Sequence, residues 1–336
     1  MPRYFDCKKL NKKLHLLFQV PISKYAVTLL SIIAIHRLFT SCNVYNYPSV
    51  PREQLTDAIY TATVPQLAEK RTKPDCPYDH ILQSKEKLQT WEVPKSSKDI
   101  GNFSAWGIKD GSYTPEHCQP LFSVAILVTY RNRQRHLDIF LPYMHNFLRK
   151  QNIHYKIFLV EQLDNKPWNK GMLYNIGAQR ALAERFPCLL LHDVDLLPLA
   201  ASNLYVCMDQ PRHLSASIDK FRFVLIYDYL VGGVLAMRAD HYVRVNGFSN
   251  NFYNWGGEDD EMADRILSNN LKILRFPREM SEYSMMTHTH EPVNRARETI
   301  IKENKIQGHK DGLSSVRYES LQVKAQRLCT WIGVKL

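Results

Sequence analysis

Two carboxylates end an apolar stretch near the middle of this 336-residue chain. Residues 188–191 have the composition of a buried strand, and Asp193 and Asp195 follow two positions apart. If the extended conformation continues, both side chains point to one face. Ligands of open α/β sheets bind at the carboxyl ends of strands, where paired acidic oxygens suit a divalent cation that bridges to phosphates. A solvated acidic turn after a buried strand is the alternative.

Basic residues are expected at the same edge. Residues 123–130 predict another apolar strand, and Arg131 and Arg133 follow it directly. Together with a cation and the two carboxylates, these arginines describe a pyrophosphate site for a nucleotide or a nucleotide sugar. A pair of surface arginines is the alternative. No G-x-G-x-x-G motif follows the strand, which disfavours a dinucleotide dehydrogenase.

Four consecutive acids, residues 258–261, follow an aromatic and glycine-rich stretch that ends in Trp255-Gly256-Gly257. A carboxylate beside an aromatic platform that stacks on sugars can deprotonate a hydroxyl group. The acids could also stabilise the start of a helix over 262–267, and the two interpretations are compatible.

Two smaller motifs add to the candidate site. His288 and His290 would share a face in an extended chain and could complete a metal site with Asp195. Gly232 and Gly233 would let the backbone approach a ligand closely.

An alternation of elements would position these groups. Three apolar and two amphipathic segments predict the order β-α-β-α-β over residues 123–130, 137–148, 155–162, 169–182 and 188–191. Pro142 is expected to kink or shorten the first helix, and Gly177 to allow close packing of the second. The order predicts an α/β fold with a parallel, doubly wound sheet and right-handed crossovers.

The amino terminus predicts a membrane anchor. Residues 1–24 contain six basic residues and one acidic residue, and residues 25–36 are uncharged. The positive-inside rule then gives type II topology, with a cytosolic tail (1–24), a signal-anchor (25–41), a stem (42–75) and a lumenal catalytic domain (76–336). A cleaved signal peptide and a buried core helix are the alternatives.

Composition disfavours two other classes of protein. The net charge is +11, but no run of basic and aromatic residues resembles a nucleic-acid-binding module, so no nucleic-acid partner is expected. Seven cysteines without a C-x-x-C pair disfavour a zinc site. The sequon at Asn102 is consistent with a glycosylated lumenal segment.

Taken together, the motifs resemble the β-1,4-galactosyltransferases from about Cys76 to the carboxyl terminus. The matching blocks, in the family's order, are Tyr130-Arg131-Asn132-Arg133, Trp168-Asn169-Lys170, Asp193-Val194-Asp195, Gln210-Pro211-Arg212-His213, Asp219-Lys220-Phe221, Val231-Gly232-Gly233, Trp255-Gly256-Gly257-Glu258-Asp259-Asp260, Met285-x-x-His288 and Asp311-Gly312-Leu313. The resemblance implies a GT-A-like, nucleotide-sugar-binding fold and a Golgi membrane enzyme that uses Mn²⁺.

The resemblance also implies a role for each matched residue. The metal ligands would be Asp195, Met285 and His288, with His290 as a further candidate. Donor contacts would come from Arg131, Arg133, Asp193, Val194, Lys220, Leu230, Gly232 and Trp255. Acceptor contacts would come from Trp255, Gly257, Glu258, Asp259 and Asp260, with Asp259 as catalytic base and Glu258 and Asp260 orienting the sugars.

The resemblance extends to a mobile segment and to the cysteines. Residues from about 286 to 310 would form a lid that closes over the bound donor. The implied disulfides are Cys76–Cys118 and Cys188–Cys207.

Departures from the family pattern leave the substrates open. Lys170 replaces the usual arginine, which weakens a bidentate contact there. Leu230 replaces the tyrosine of galactose-specific members, and a smaller apolar residue makes room for an N-acetyl group. The spacing of His288 and His290 resembles the xylose-accepting branch of the family.

The resemblance therefore implies an inverting transfer of galactose from UDP-galactose to the 4-hydroxyl of a terminal GlcNAc on glycans. UDP-GalNAc as donor and xylose as acceptor are the alternatives within the family. The alternatives to this activity are a sugar-binding relative without catalysis, a metal-dependent hydrolase of nucleotide sugars, and a basic structural or nucleic-acid-binding protein.

Overall fold

The computed structural model describes residues 24–41, 47–61, 73–96, 106–289 and 291–336. The chain divides into two compact units, Met1–Asn46 and Tyr47–Leu336. In the first unit, the predicted anchor over 25–41 forms a helix, α1 (Lys24–Ser41). Among the described residues, no helix combines the length and the apolar character that crossing a membrane requires.

The second unit is an α/β domain. Its strands are β1 (Ser112–Tyr113), β2 (Ser123–Tyr130), β3 (His154–Gln162), β4 (Cys188–Asp193), β5 (Leu196–Pro198), β6 (Arg212–His213), β7 (Ser217–Ile218), β8 (Val234–Arg238), β9 (Glu282–Met285), β10 (Ser320–Ala325) and β11 (Thr330–Lys335). Its helices are α2 (Leu55–Thr61), α3 (Asp79–Leu82), α4 (Gln134–Leu148), α5 (Lys170–Ala183), α6 (Ala239–Arg244), α7 (Glu258–Ser268) and α8 (Arg297–Ile306).

The main sheet has the order β10-β11-β3-β2-β4-β8-β6, and β1 pairs with β3 outside this path. The four central strands, β11, β3, β2 and β4, are parallel, and the outer pairings are antiparallel. The predicted α/β fold with a mostly parallel sheet is confirmed. Thr129 of β2 pairs with Asp193 of β4, so the carboxyl ends of these two strands meet at one edge, as expected.

Helices cover both faces of this sheet. Alternate residues of β2 point to opposite sides: Ile126 joins a hydrophobic cluster with Phe140 of α4, and Leu127 joins another with Ile176 of α5. Pro142 lies inside α4, which continues over 15 residues, so the expectation that it shortens the helix is wrong. The buried residues on either side of Pro142 stabilise the helix against the loss of one backbone hydrogen bond.

Helix α5 begins where the side chain of Asn169 accepts a hydrogen bond from the backbone nitrogen of Met172, at 2.9 Å. Farther along this helix, Gly177 lies directly against the sheet. A Cβ atom added there would lie 2.9 Å from Val160 Cγ2 and 3.5 Å from Leu127 Cδ2. The expected close packing at Gly177 is therefore present.

Enlarging Gly177 should destabilise the fold. We expect Gly177→Val to lower the free energy of unfolding by about 1–3 kcal/mol, because the added methyl groups force α5 away from the sheet. Urea denaturation of the full chain measures the change. Ala183→Val, at the exposed end of the same helix, is the matched control. Equal stability of the two variants would contradict the packing argument.

The compact unit begins earlier than expected. The composition of residues 42–75 predicts a stem, yet the second unit starts at Tyr47. Leu55 and Ile59, one helical turn apart in α2, are fully buried in the main hydrophobic cluster. Residues 47–61 therefore belong to the domain rather than to a stem.

Two disulfides lie in the domain. Cys76–Cys118 has a Cα–Cα distance of 4.9 Å, and Cys188–Cys207 one of 5.6 Å. Both pairs are those that the family resemblance implies. The predicted glycosylation site at Asn102 and the candidate ligand His290 lie outside the described residues.

Candidate active site

A cavity of about 910 Å³ opens at the carboxyl ends of β2 and β4. It is lined by all of the residues that were expected to bind donor, acceptor or metal, apart from His290 outside the described part of the chain. The expected residues come from six different regions of the chain and converge on one space.

Strand β4 ends at Asp193, and residues 194–195 form a turn into β5. The expectation of one extended run that places Asp193 and Asp195 on the same face is therefore wrong. The turn separates the environments of the two carboxylates. Asp193 Oδ1 accepts hydrogen bonds from Lys170 Nζ at 2.7 Å and from the Tyr174 hydroxyl at 3.0 Å. Asp195 instead faces His288.

Asp195, His288 and Met285 form the candidate metal centre. His288 Nδ1 lies 2.8 Å from Asp195 Oδ2, and Arg133 Nη1 lies 3.9 Å from the same oxygen. Met285 joins the group because it pairs with Leu196 across the antiparallel strands β9 and β5. Burial alone would raise the pKa of Asp195, but the hydrogen bond from His288 and the charge of Arg133 outweigh burial and lower it.

The donor set fits a divalent cation in part. A carboxylate and an imidazole are ordinary ligands of Mn²⁺, whereas the Met285 thioether is a soft donor that such an ion does not favour. Within the described ranges, no cluster contains three or more His, Cys, Asp or Glu side chains suited to a metal. The centre would thus depend on Asp195 and His288, with Met285 as the third protein donor.

Asp219 supports this centre and received no role from the sequence. Its Oδ1 accepts from the backbone nitrogen of Met285 at 2.9 Å, and its Oδ2 accepts from Ser284 Oγ at 2.6 Å. The carboxylate therefore fixes the strand that carries Met285. In the sequence, only its position beside Lys220, in a block that matches the family, pointed to Asp219.

The acidic cluster lies at the start of α7, which begins at Glu258 rather than at residue 262. Gly257 precedes it with a φ of 98°, a conformation that favours glycine. Burial and the charge of Glu258 raise the pKa of Asp259 to about 7, against the opposing charge of Lys170. Glu258 Oε2 is buried and has no hydrogen-bond partner within the described part of the chain. Glu258, Asp259 and Asp260 thus begin a helix and also line the cavity, whereas Glu261 is fully buried.

Lys170 connects the two halves of the site. Its Nζ lies 2.7 Å from Asp193 Oδ1 and 3.6 Å from Glu258 Oε1. Burial alone would lower the pKa of Lys170, but Asp193, Tyr174 and Glu258 raise it well above its ordinary value. A charged lysine therefore joins the strand-end acids to the helix-start acids. The sequence showed only that it replaces an arginine.

Two further residues shape the surroundings of the acids. A Cβ atom on Gly232 would overlap Asp259 Oδ2, so glycine is required for the close approach of this carboxylate. The Tyr227 hydroxyl donates to Asp260 Oδ1 at 2.8 Å, a contact that sequence reasoning did not find. Both residues line the cavity.

Described residues of the segment 286–310 line part of the cavity, and some of them lie beside Trp255. The backbone nitrogen of Trp255 donates to the carbonyl of Pro292, and the backbone nitrogen of Asn294 donates to the carbonyl of Trp255, each at 2.9 Å. The Trp255 side chain remains 48% exposed. Arg297, in α8 of the same segment, also lines the cavity, so this segment forms part of the wall where a lid was expected.

Both ends of this segment are fastened to fixed elements. At its start, the Met286 nitrogen donates to the carbonyl of Asp195 at 2.8 Å. At its end, Asp311 Oδ1 lies 3.0 Å from Arg265 Nη2, and fully buried Arg265 pairs with fully buried Glu261 at 2.7 Å. Helix α7 therefore carries the acids in its first turn. About one turn later it carries Arg265, which binds the end of the segment.

Comparisons with known proteins agree with this geometry. A model described as the N-terminal region of glycosyl transferase group 7 matches residues 76–208. A second, described as the N-terminal domain of galactosyltransferase, matches residues 212–289. Mouse β-1,4-galactosyltransferase 4 is 38% identical over 231 residues, which cover 68% of this chain and 67% of the relative. The chain belongs to the β-1,4-galactosyltransferase family.

The chain spans less than two thirds of the length of another curated relative. Human β-1,4-galactosyltransferase 2 is 38% identical over 231 residues, or 67% of this chain and 62% of the relative. A solved structure of Drosophila β-1,4-galactosyltransferase 7 with manganese, UDP-Gal and xylobiose superposes with a TM-score of 0.56 at 30% identity. That superposition covers 64% of this chain and 94% of the solved chain.

Proposed function

We propose that the chain is a metal-dependent glycosyltransferase that moves galactose or GalNAc from a UDP-sugar to the 4-hydroxyl of a terminal GlcNAc on glycans. One observation carries the proposal. The cavity joins a carboxylate–imidazole pair, several basic side chains and a carboxylate whose pKa is raised to about 7. The family relationship and the manganese and UDP-Gal held by the Drosophila enzyme support it.

The donor half of the cavity would hold the UDP diphosphate. Arg131, Arg133 and Lys220 supply positive charge around it. Asp195, Met285 and His288 would hold Mn²⁺, which when bound neutralises the charge that develops on departing UDP. Lys170 keeps Asp193 and Glu258 in place between donor and acceptor. These contacts position the donor and stabilise the leaving group electrostatically.

The acceptor half would activate the nucleophile. Asp259 is partly deprotonated near neutral pH, so it can accept the proton of the acceptor hydroxyl. Trp255, with its exposed indole, offers a face on which a sugar can stack. Attack from the side opposite the departing UDP is a single displacement, and it inverts the anomeric carbon.

A transfer assay tests the proposal. Purified full-length chain is given radiolabelled UDP-galactose or UDP-GalNAc, a GlcNAc acceptor and Mn²⁺, with a metal chelator as control. We expect product only when donor, acceptor and metal are all present. Free sugar released at the same rate without acceptor would instead favour a hydrolase. Sugar binding without turnover would favour a non-catalytic relative.

The donor choice depends on Leu230, which lines the cavity and is partly buried. We propose that this smaller side chain admits the N-acetyl group of UDP-GalNAc. Leu230→Tyr should therefore lower the kcat/KM ratio for UDP-GalNAc over UDP-galactose by about tenfold or more, since the ring fills that space. The two donors are compared at fixed acceptor, and an unchanged ratio would refute the pocket argument.

The acceptor has one alternative. The Drosophila structure contains xylobiose, so a xylose acceptor is a second candidate. The relatives at 38% identity include β-1,4-galactosyltransferases 2, 3 and 4, whereas the xylobiose-bound β-1,4-galactosyltransferase 7 is 30% identical, so xylose is the less favoured acceptor. Xylose and GlcNAc acceptors compared under one set of conditions decide between them.

We also propose that the enzyme is a type II protein of the Golgi membrane. The two disulfides support an oxidising compartment, because such bonds are rare in the cytosol. Microscopy of the tagged chain beside a Golgi marker tests this, and a diffuse cytosolic signal would contradict it.

A further inference from the structure

Within the segment 47–61, Tyr47 and Val50 lie behind the donor end of the cavity. Leu230 packs on a small buried cluster to which Tyr47 belongs. Tyr47 is 7% exposed, and its hydroxyl donates to the carbonyl of Phe276 at 3.0 Å. Both family models begin their matches after this segment, at residue 76 or later. Tyr47 therefore contacts the cluster behind Leu230 from outside the residues that the family models match.

Arg275 connects Tyr47 to the donor-wall loop, which we define as residues 228–233. The guanidinium carbon of Arg275 lies 5.9 Å from the centroid of the Tyr47 ring. Its Nη2 donates to the carbonyls of Asp228 at 2.7 Å and Leu230 at 2.9 Å. The Val50 nitrogen donates to the Arg275 carbonyl at 2.9 Å. Residues 47–50 thus contact Arg275 through the Tyr47 ring and the Val50 nitrogen, and Arg275 in turn donates hydrogen bonds to the backbone of the loop.

The same arginine reaches the part of the loop beside Asp259. Arg275 Nε donates to His213 Nδ1 at 3.3 Å, and His213 Nε2 donates to the carbonyl of Gly232 at 2.9 Å. Burial and the charge of Arg275 lower the pKa of His213 to about 3, so the imidazole is neutral and can make both contacts. Gly232 in turn faces Asp259.

We infer that Tyr47 is a positioning residue for donor recognition, which acts through Arg275 on the loop that carries Leu230. The inference rests on the proposed function, because Leu230 meets a donor sugar only if the cavity binds one. Removal of the Tyr47 ring would open space behind Leu230 and free one side of Arg275. The donor sugar would then be held less firmly, whereas the acceptor contacts expected from Trp255, Glu258 and Asp260 come from another segment of the chain.

Substitution in the full chain tests the inference. Tyr47→Ala should raise the donor KM about fivefold or more and change the UDP-galactose to UDP-GalNAc ratio about threefold, with the acceptor KM changed less than about twofold. Tyr47→Phe keeps the ring and should change the donor KM less than about twofold. Tyr60→Ala removes another tyrosine of the same segment, whose ring contacts Tyr78 instead, and is the matched control.

A second measurement does not depend on activity. Hydrogen exchange of the amides in residues 228–233 should be at least about tenfold faster in Tyr47→Ala than in Tyr60→Ala. Equal donor KM values, or equal exchange rates, in the two alanine variants would overturn the inference. If the wild-type chain transferred neither sugar, the proposed function would fail, and the exchange rates alone would decide whether Tyr47 holds the loop.

Discussion

Asp259→Asn should lower kcat for sugar transfer by about a thousandfold, while the affinity for UDP changes less than about threefold. An amide keeps the size of the side chain but cannot accept the acceptor proton, and general-base catalysis contributes about 10²–10⁴ in rate. Transfer assays give kcat, and calorimetry with UDP and Mn²⁺ gives binding. Since Asp259, in the first turn of α7, is not one of the candidate metal ligands, donor binding should survive.

The pH profile provides an independent check on Asp259. Its pKa is raised to about 7, so the fraction of active carboxylate increases as the pH rises through that value. We expect kcat/KM to rise up to about tenfold per pH unit below pH 7 and to level off above it. The residual activity of Asp259→Asn should not show this rise of kcat/KM below pH 7. A variant with retained turnover and the wild-type profile would exclude Asp259 as the base.

Asp195→Ala should weaken Mn²⁺ binding by about a hundredfold or more. Loss of an outer partner of a metal ligand already costs about 10–100-fold in affinity, and Asp195 would contact the ion itself. Electron paramagnetic resonance of free Mn²⁺, titrated into the full chain, measures the affinity without any need for turnover. Transfer activity should fall in parallel and recover in part at high Mn²⁺ concentration.

Asp138→Ala is the matched control for this variant, because Asp138 is an exposed carboxylate that accepts a hydrogen bond from Gln134 on α4. Its Mn²⁺ affinity should equal that of the wild type. If Asp195→Ala bound Mn²⁺ as tightly as Asp138→Ala, the pair of Asp195 and His288 would not be the metal site.

The chemistry at the strand ends is predictable because it follows from local rules. Apolar runs of strand length predict β2 and β4, and parallel pairing brings the residues after them to one edge. The sequence alone therefore places Arg131, Asp193 and Asp195 together. It does not place Met285 with them, because a thioether is a poor partner for a hard ion, and only the family resemblance indicates it.

Other features depend on contacts between distant parts of the chain. Lys170 meets Asp193 and Glu258, which are far from it in sequence, so no local pattern reveals the ion pairs. The seven-residue helix α2 buries only Leu55 and Ile59, too few residues to show a period in a segment with several prolines. The turn at residues 194–195 likewise forms because β5 pairs with β9, near the end of the chain.

The anchoring of the segment between Met286 and Asp311 has a practical consequence for engineering. One end is bound to the Asp195 carbonyl and the other to Arg265, and within the stretch Asn304 and His309 both contact Glu261 of α7. Glu291 also pairs with Arg131, at 3.1 Å. A homologous stretch grafted over residues 291–310 would therefore have to keep these contacts, because they connect it to the helix that carries the acids and to an arginine of the cavity wall.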